Sequence, residues 1–156
     1  IRDRIGTIRD YVMTDSDVIN AIINSKLSEA SEKGIDVRAS VGREIGGTDE
    51  YGLSVALANL LDNAIEGCMR IHGERKMYFE MFVDGEYLKV FVKNTYDKSG
   101  IDLETRKENK KLHGFGVKSI KEFSEKNDGF VNFYEENDEF CANMWIIANK
   151  SCLFTS

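Results

Sequence analysis

The sequence predicts an α+β two-layer sandwich, with one mixed, mainly antiparallel sheet and three helices on one face. Three observations predict it. Apolar residues recur at helical spacing in three separated stretches. Alternating stretches lie between and after them, and two adjacent pairs of these meet at turn residues, Asp84-Gly85 and Glu136-Asn137-Asp138. The resulting order is helix, strand, helix, strand, strand, long loop, helix, strand, strand, which suits one sheet covered on one side.

Taken in order, residues 1–13 carry Ile1, Ile5, Ile8, Tyr11 and Val12 at helical spacing and read as the end of an upstream helix. Thr14, Asp15 and Ser16 are N-cap candidates for a helix from Asp17 to Lys33, with Val18, Ile19, Ile22, Ile23, Leu27 and Ala30 on its apolar positions and Gly34 as its C-cap. Ile35 to Val41 alternates as a half-buried strand does, and Gly42 to Thr48 is loop. A second helix runs from about Asp49 to Ile71 and stops at His72-Gly73, which puts His72 in its last turn as a dipole-matched cap. Lys76 to Val83 and Glu86 to Lys93 form a hairpin around Asp84-Gly85. Asn94 to Leu112 is a polar loop of the length usually reserved for lids or disordered segments. A third helix then runs to about Lys126. Phe130 to Tyr134 and Glu139 to Ile147 form the second hairpin, and residues 151–156 read as a tail.

At 156 residues the chain is long enough for one domain with a sizeable core. Its 42% apolar and 31% charged residues are ordinary for a globular protein. A net charge of −6 argues against general nucleic-acid binding. No apolar run approaches the ~20 residues of a membrane helix. The opening Ile1-Arg2-Asp3-Arg4 is charged, unlike a signal peptide, and reads as a cut within a longer chain. Cys68, Cys141 and Cys152 are widely spaced and have no metal-ligand pattern, which points to free thiols in a reducing, cytoplasmic compartment, with Cys68 in the core.

Three features carry candidate chemistry. Asn59, Asn63 and Glu66 sit at i, i+4 and i+7 of an otherwise apolar helix and fall within roughly 60° of one another. Asn is a mediocre helix former, and a partly buried amide needs partners. Amide oxygens are hard ligands that suit Mg²⁺, which keeps few protein ligands. A solvated helix edge explains the stripe equally well. Gly114 and Gly116 open a helix, where backbone N–H groups and partial positive charge favour an anion. Arg106, Lys107, Lys110, Lys111 and His113 precede them, and an exposed charged loop is the competing explanation. Asn94 closes a strand beside the long loop, a common place for a ligand-contacting group and equally a turn residue.

Together these elements resemble the GHKL superfamily of ATP-binding domains, the Bergerat fold. Asn59-Leu60-Leu61-Asp62-Asn63-Ala64 is similar to the N-box of sensor histidine kinases, and His113-Gly114-Phe115-Gly116-Val117 to the glycine box closing the ATP lid. The Asn24-Ser25-Lys26-Leu27 segment and the Leu61-Asp62-Asn63-Ala64-Ile65-Glu66 form of the N-box are similar to those of Gram-positive peptide quorum-sensing kinases. The resemblance implies ATP and Mg²⁺ as cofactors and a domain over 14–150, with 1–13 ending a dimerisation and phosphoacceptor helix. It implies Asn63 as the Mg²⁺ ligand and Asn59 where hydrolytic relatives carry a glutamate base. Glu66 would face the same site in a less defined role. Asn94 stands where most relatives read adenine with an aspartate, because Asn94-Thr95-Tyr96-Asp97 replaces the usual D-x-G-x-G box. Gly114, Phe115, Gly116 and Val117 would cradle phosphates, with Lys107, Lys111 and His113 neutralising their charge. The implied partners are a phosphoacceptor histidine domain of the same protein, in cis or in trans within a dimer, and a downstream response regulator. Neither nucleic acid nor membrane contact is expected of this segment, which would be the cytoplasmic portion of a membrane-anchored sensor. A stand-alone or degenerate regulatory module, like the anti-sigma-factor kinases, is the alternative.

Overall fold

The computed structural model describes residues 12–97 and 116–149. Within them lie α1 (Asp17–Glu32), β1 (Asp36–Val41), α2 (Glu50–Met69), β2 (Lys76–Asp84), β3 (Tyr87–Thr95), α3 over 116–126, β4 (Phe130–Glu136) and β5 (Glu139–Ile147). The strands form one sheet in the order β1-β2-β3-β5-β4. Only β1 and β2 run parallel, joined through α2 as parallel neighbours require, and the other pairs are antiparallel. The expected α+β sandwich, with three helices among the described residues on one sheet face, is the fold observed.

Local chemistry fixes the elements. Ser16 is the cap of α1, its Oγ accepting from the Ile19 N–H at 3.2 Å. At the other end Gly34 takes φ +82, and the Ile35 and Gly34 N–H groups donate back to the Ala30 and Ser31 carbonyls, a Schellman stop. The β4–β5 hairpin turns on Asn137 and Asp138, with φ +51 and +64, as a type I′ turn requires. The β2–β3 hairpin differs by one residue from the sequence expectation. Asp84 pairs with Tyr87, so the loop is Gly85-Glu86, with Gly85 (φ +62) at its first position. With its positive φ at the first of two loop residues alone, this turn is of the kind that takes glycine there, and that sets the register.

The second helix ends earlier than its apolar pattern suggests, at Met69, so exposed His72 lies beyond the last turn and caps nothing there. The Ile71 carbonyl is instead taken by Arg75, through Nε at 3.1 Å and Nη2 at 2.8 Å. A guanidinium reaching back from the next segment finishes this connection.

The core sits between the helices and the inner sheet face. Ile19, Ile23 and Leu27 of α1 and Leu53, Leu57 and Leu61 of α2 pack over Phe79, Met81, Val90 and Met144. The outer face carries aromatic rings. Register places Trp145 opposite both Lys89 and Phe130, and the Lys89 ammonium lies 4.0 Å from the indole centroid.

Gly129 joins α3 to β4 where the chain touches the β5 backbone, and a Cβ there would overlap the Trp145 carbonyl. Gly129→Ala should cost about 1–3 kcal/mol, as overpacking does. Its urea midpoint is expected to fall with the m-value unchanged.

Candidate functional site

Helix α2 carries the site because it has two faces. Its residues from Leu53 through Leu57, Leu61 and Ala64 to Cys68 are buried, whereas Asn59 and Asn63 are half-buried and Glu66 is exposed. A half-buried amide is reachable from outside yet held by its surroundings. The stripe read in the sequence is therefore real in space, with Glu66 at its wet end.

Two glycines make room around this stripe. Gly67 follows Asn63 by one turn, and a Cβ added there would come within 2.5 Å of the Asn94 Nδ2. Asn94 is 4% exposed and lies within β3, opposite Met77 and Phe140, so it is part of the ladder and no turn residue. Its Nδ2 donates to the Thr95 carbonyl at 3.0 Å. At the other end of the stripe, a Cβ on Gly116 would lie 3.9 Å from the Asn59 amide. Asn59 and Gly67 are about 12 Å apart along the helix axis. Asn94 and Gly116 thus mark the two ends of one polar face, with Asn63 between them.

Helix α3 is placed against α2 by a third glycine. A Cβ on Gly52 would meet the Phe123 ring within 3 Å, and Gly116 lies beside Asn59, so the two helices run antiparallel. Val117 is half-buried in the same α3 turn. Lys107, Lys111, His113, Gly114 and Phe115 lie outside the described residues, as do Arg106, Lys110 and Cys152.

The strand end next to Asn94 is tied down by Cys68. Its Sγ donates to the Lys76 carbonyl at 3.3 Å and lies 3.8 Å from Thr95 Oγ1, which accepts from the Lys76 N–H at 3.0 Å. Burial pushes the Cys68 thiol above its usual range, so it is a packing thiol, as expected. Cys141 is likewise free and buried.

Sequence reasoning missed one contact beside the stripe. Lys26 of α1 places its Nζ 2.6 Å from Asp62 Oδ1 and 3.8 Å from Glu29 Oε1. The bond to Asp62 holds the Lys26 pKa above the usual lysine value, against desolvation. Asp62 precedes Asn63 and neighbours Asn59 and Glu66 on the helix surface. Two more amides of α1 hold the incoming chain: Asn24 Nδ2 donates to the Val12 carbonyl at 3.3 Å and Asn20 Nδ2 to the Thr14 carbonyl at 3.2 Å. The Asn20 and Asn24 spacing, i and i+4, was visible in the sequence as the same pattern as Asn59 and Asn63.

These residues fit a metal bound together with a polyphosphate better than a bare metal. Among the described residues no group of three His, Cys, Asp or Glu side chains could cage an ion. Two exposed-edge amides beside glycine-widened space suit a cation that keeps most of its ligands as water and phosphate oxygen. No described helix is long and apolar enough to cross a membrane.

Comparison with known proteins places the geometry in a wider setting. A family model described as a GHKL domain matches residues 50–147. The catalytic domain of the histidine kinase ThkA aligns with a TM-score of 0.65 at 16% identity, covering 85% of this chain and 92% of that one. The Acinetobacter baumannii histidine kinase AdeS aligns at 0.65 and 11% identity, over 95% of this chain and 75% of its own. A histidine kinase from Burkholderia phymatum aligns at 0.67 and 15%, over 95% and 76%. At such identities the likeness is one of fold. No curated protein matches the chain.

Gly67→Ala should displace the Asn94 side chain, because the new Cβ and Nδ2 cannot share the space. The Asn94 side-chain amide resonance is expected to move while resonances of β4 stay in place. The Lys26–Asp62 bond also carries a pH signature. A lysine whose pKa is raised by folding adds stability that is complete below the unfolded value and is lost as pH rises through the folded one. Lys26→Met should therefore flatten the fall in stability on the alkaline side, read by denaturant melts at stepped pH.

Proposed function

This chain belongs to the GHKL domain family, and from that we propose that it is the ATP-binding catalytic domain of a sensor histidine kinase, closest to the Gram-positive peptide quorum-sensing type. The observation that carries the proposal is the polar face of α2, with Asn94 against Gly67 at one end and Gly116 beside Asn59 at the other. Its length of about 12 Å suits a nucleotide laid along the helix, base at one end and phosphates at the other.

In this reading Asn94 hydrogen-bonds the adenine amino group through its amide oxygen, while its Nδ2 stays on the Thr95 carbonyl. Asn63 would supply an amide oxygen to Mg²⁺, and the ion would offset phosphate charge. Asn59, lacking a titratable group, cannot act as a base toward water, which suits transfer to a protein acceptor over hydrolysis. Glu66 lies at the exposed margin of the same face. The backbone of Gly114, Phe115, Gly116 and Val117 cradles the phosphates, with Lys107, Lys111 and His113 adding positive charge. Phosphoryl transfer asks mainly for positioning and charge stabilisation, and these groups supply both.

The acceptor is a histidine on a dimerisation domain of the same protein, and a response regulator takes the phosphoryl group onward. We assign residues 1–13 to the end of that dimerisation helix and 14–150 to the catalytic domain, in the cytoplasmic portion of a membrane-anchored sensor. His72 and His113 take no phosphoryl group in this scheme.

Calorimetric titration with Mg-ATP tests the proposal. The chain should bind ATP only in the presence of Mg²⁺, and Asn63→Ala should weaken binding by at least about tenfold, since loss of even an outer-sphere metal contact costs that much. A protein extended to its dimerisation helices should autophosphorylate, and Asn63→Ala should abolish this. Absence of binding at millimolar Mg-ATP would overturn the reading.

A further inference from the structure

A face that accepts a triphosphate should not present an uncompensated carboxylate, yet α2 places Asp62 directly before Asn63. Asp62 sits one turn from Asn59 and from Glu66 on the helix surface. In a protein of net charge −6 such a carboxylate would repel a polyanion at short range. The structure answers this with a cation from another helix. Lys26 spans from α1 with its Nζ 2.6 Å from Asp62 Oδ1, while its own-helix neighbour Glu29 is at 3.8 Å. The Lys26 side chain is 21% exposed and that of Asp62 43%, so the ammonium is the more enclosed partner and the pair sits at the water-facing edge of the helix contact.

We propose that Lys26 is a positioning and specificity residue of the nucleotide site: its ammonium cancels the Asp62 charge beside Asn59 and Asn63 and so lets this face take phosphates. The inference rests on the nucleotide reading given above. Lys26 has two effects, one on charge and one on geometry. Neutralising Asp62 acts on each phosphate added to the ligand. Tying α1 to α2 also fixes the rotation of the stripe, because Asp62 and Asn63 are adjacent on one rigid helix. A mere clamp between helices would supply the second effect and be indifferent to phosphate number.

The experiment measures binding of ATP, ADP and adenosine, with Mg²⁺, to the whole chain and three variants, with circular dichroism as a folding control. Lys26→Met should weaken ATP by about tenfold and ADP by about threefold while leaving adenosine unchanged, as an uncompensated charge near the phosphates would do. Lys26→Arg should keep most of the ATP affinity. The double variant Lys26→Met/Asp62→Asn should recover it, because the repelling carboxylate is then gone too. An equal loss for all three ligands, with no recovery in the double variant, would overturn the Lys26 role and leave the nucleotide site standing. No binding of ATP by the unaltered chain would overturn the nucleotide reading and this inference with it. Should Lys26→Met fail to fold, Asp62→Asn alone decides: an unopposed ammonium should tighten ATP by about threefold with adenosine unchanged, and unchanged or weaker ATP binding would overturn the proposal.

Discussion

The seating of α2 on strands β2 and β3 governs the rest of the molecule. This helix must bury an unbroken apolar stripe, from Leu53 through Leu57, Leu61 and Ala64 to Cys68, and keep a polar one open. Burial fixes its rotation within the tolerance of a packed core, where a change of one methylene is felt. That rotation in turn sets where Asn59 and Asn63 point. The residues that define the polar face gain their positions from the hydrophobic ones behind them.

Close approach by the neighbours then shapes the face. Gly52 lets α3 in at one end and Gly67 makes room for the Asn94 amide at the other. Gly52 is third from the start of α2 and Gly67 third from its end, and each trades helix propensity in a terminal turn for a contact across the layer. Asn94 belongs to the sheet and the two amides to the helix, and the gap left by Gly67 is what joins them.

Much of this was legible from the residues alone. The two-layer fold, the Asn stripe, the α1 cap and both hairpins follow from periodicity and turn chemistry, which act over a few residues. What escaped depended on distance. Gly67 reads locally as a weak point in a helix, because its partner Asn94 is brought up only by the pairing of β2 with β3. Lys26 and Asp62 stand in two separate motifs, and nothing local says that α1 lies against α2 there. His72 was misplaced for a related reason: the helix stops at Met69, and the Ile71 carbonyl beyond it is held by Arg75, a contact no helical pattern reveals. The Asp84-Gly85 turn missed by one residue because pattern alone cannot choose which loop position takes the positive φ.

The amides of Asn20 and Asn24 have a mechanical consequence. They hold the backbone of Thr14 and Val12, so the polypeptide reaching the domain from its N-terminal side is fastened to α1 before it meets any strand. A pull or twist on that polypeptide is delivered to α1 and, through the Asp15 N–H bonded to the Arg43 carbonyl, to the loop after β1; α1 passes it on through its apolar contacts with α2 and the sheet and through the Lys26–Asp62 bond. Of these routes the Lys26–Asp62 bond ends one residue from Asn63, so the fastening of the incoming chain and the polar face of α2 share one helix–helix contact.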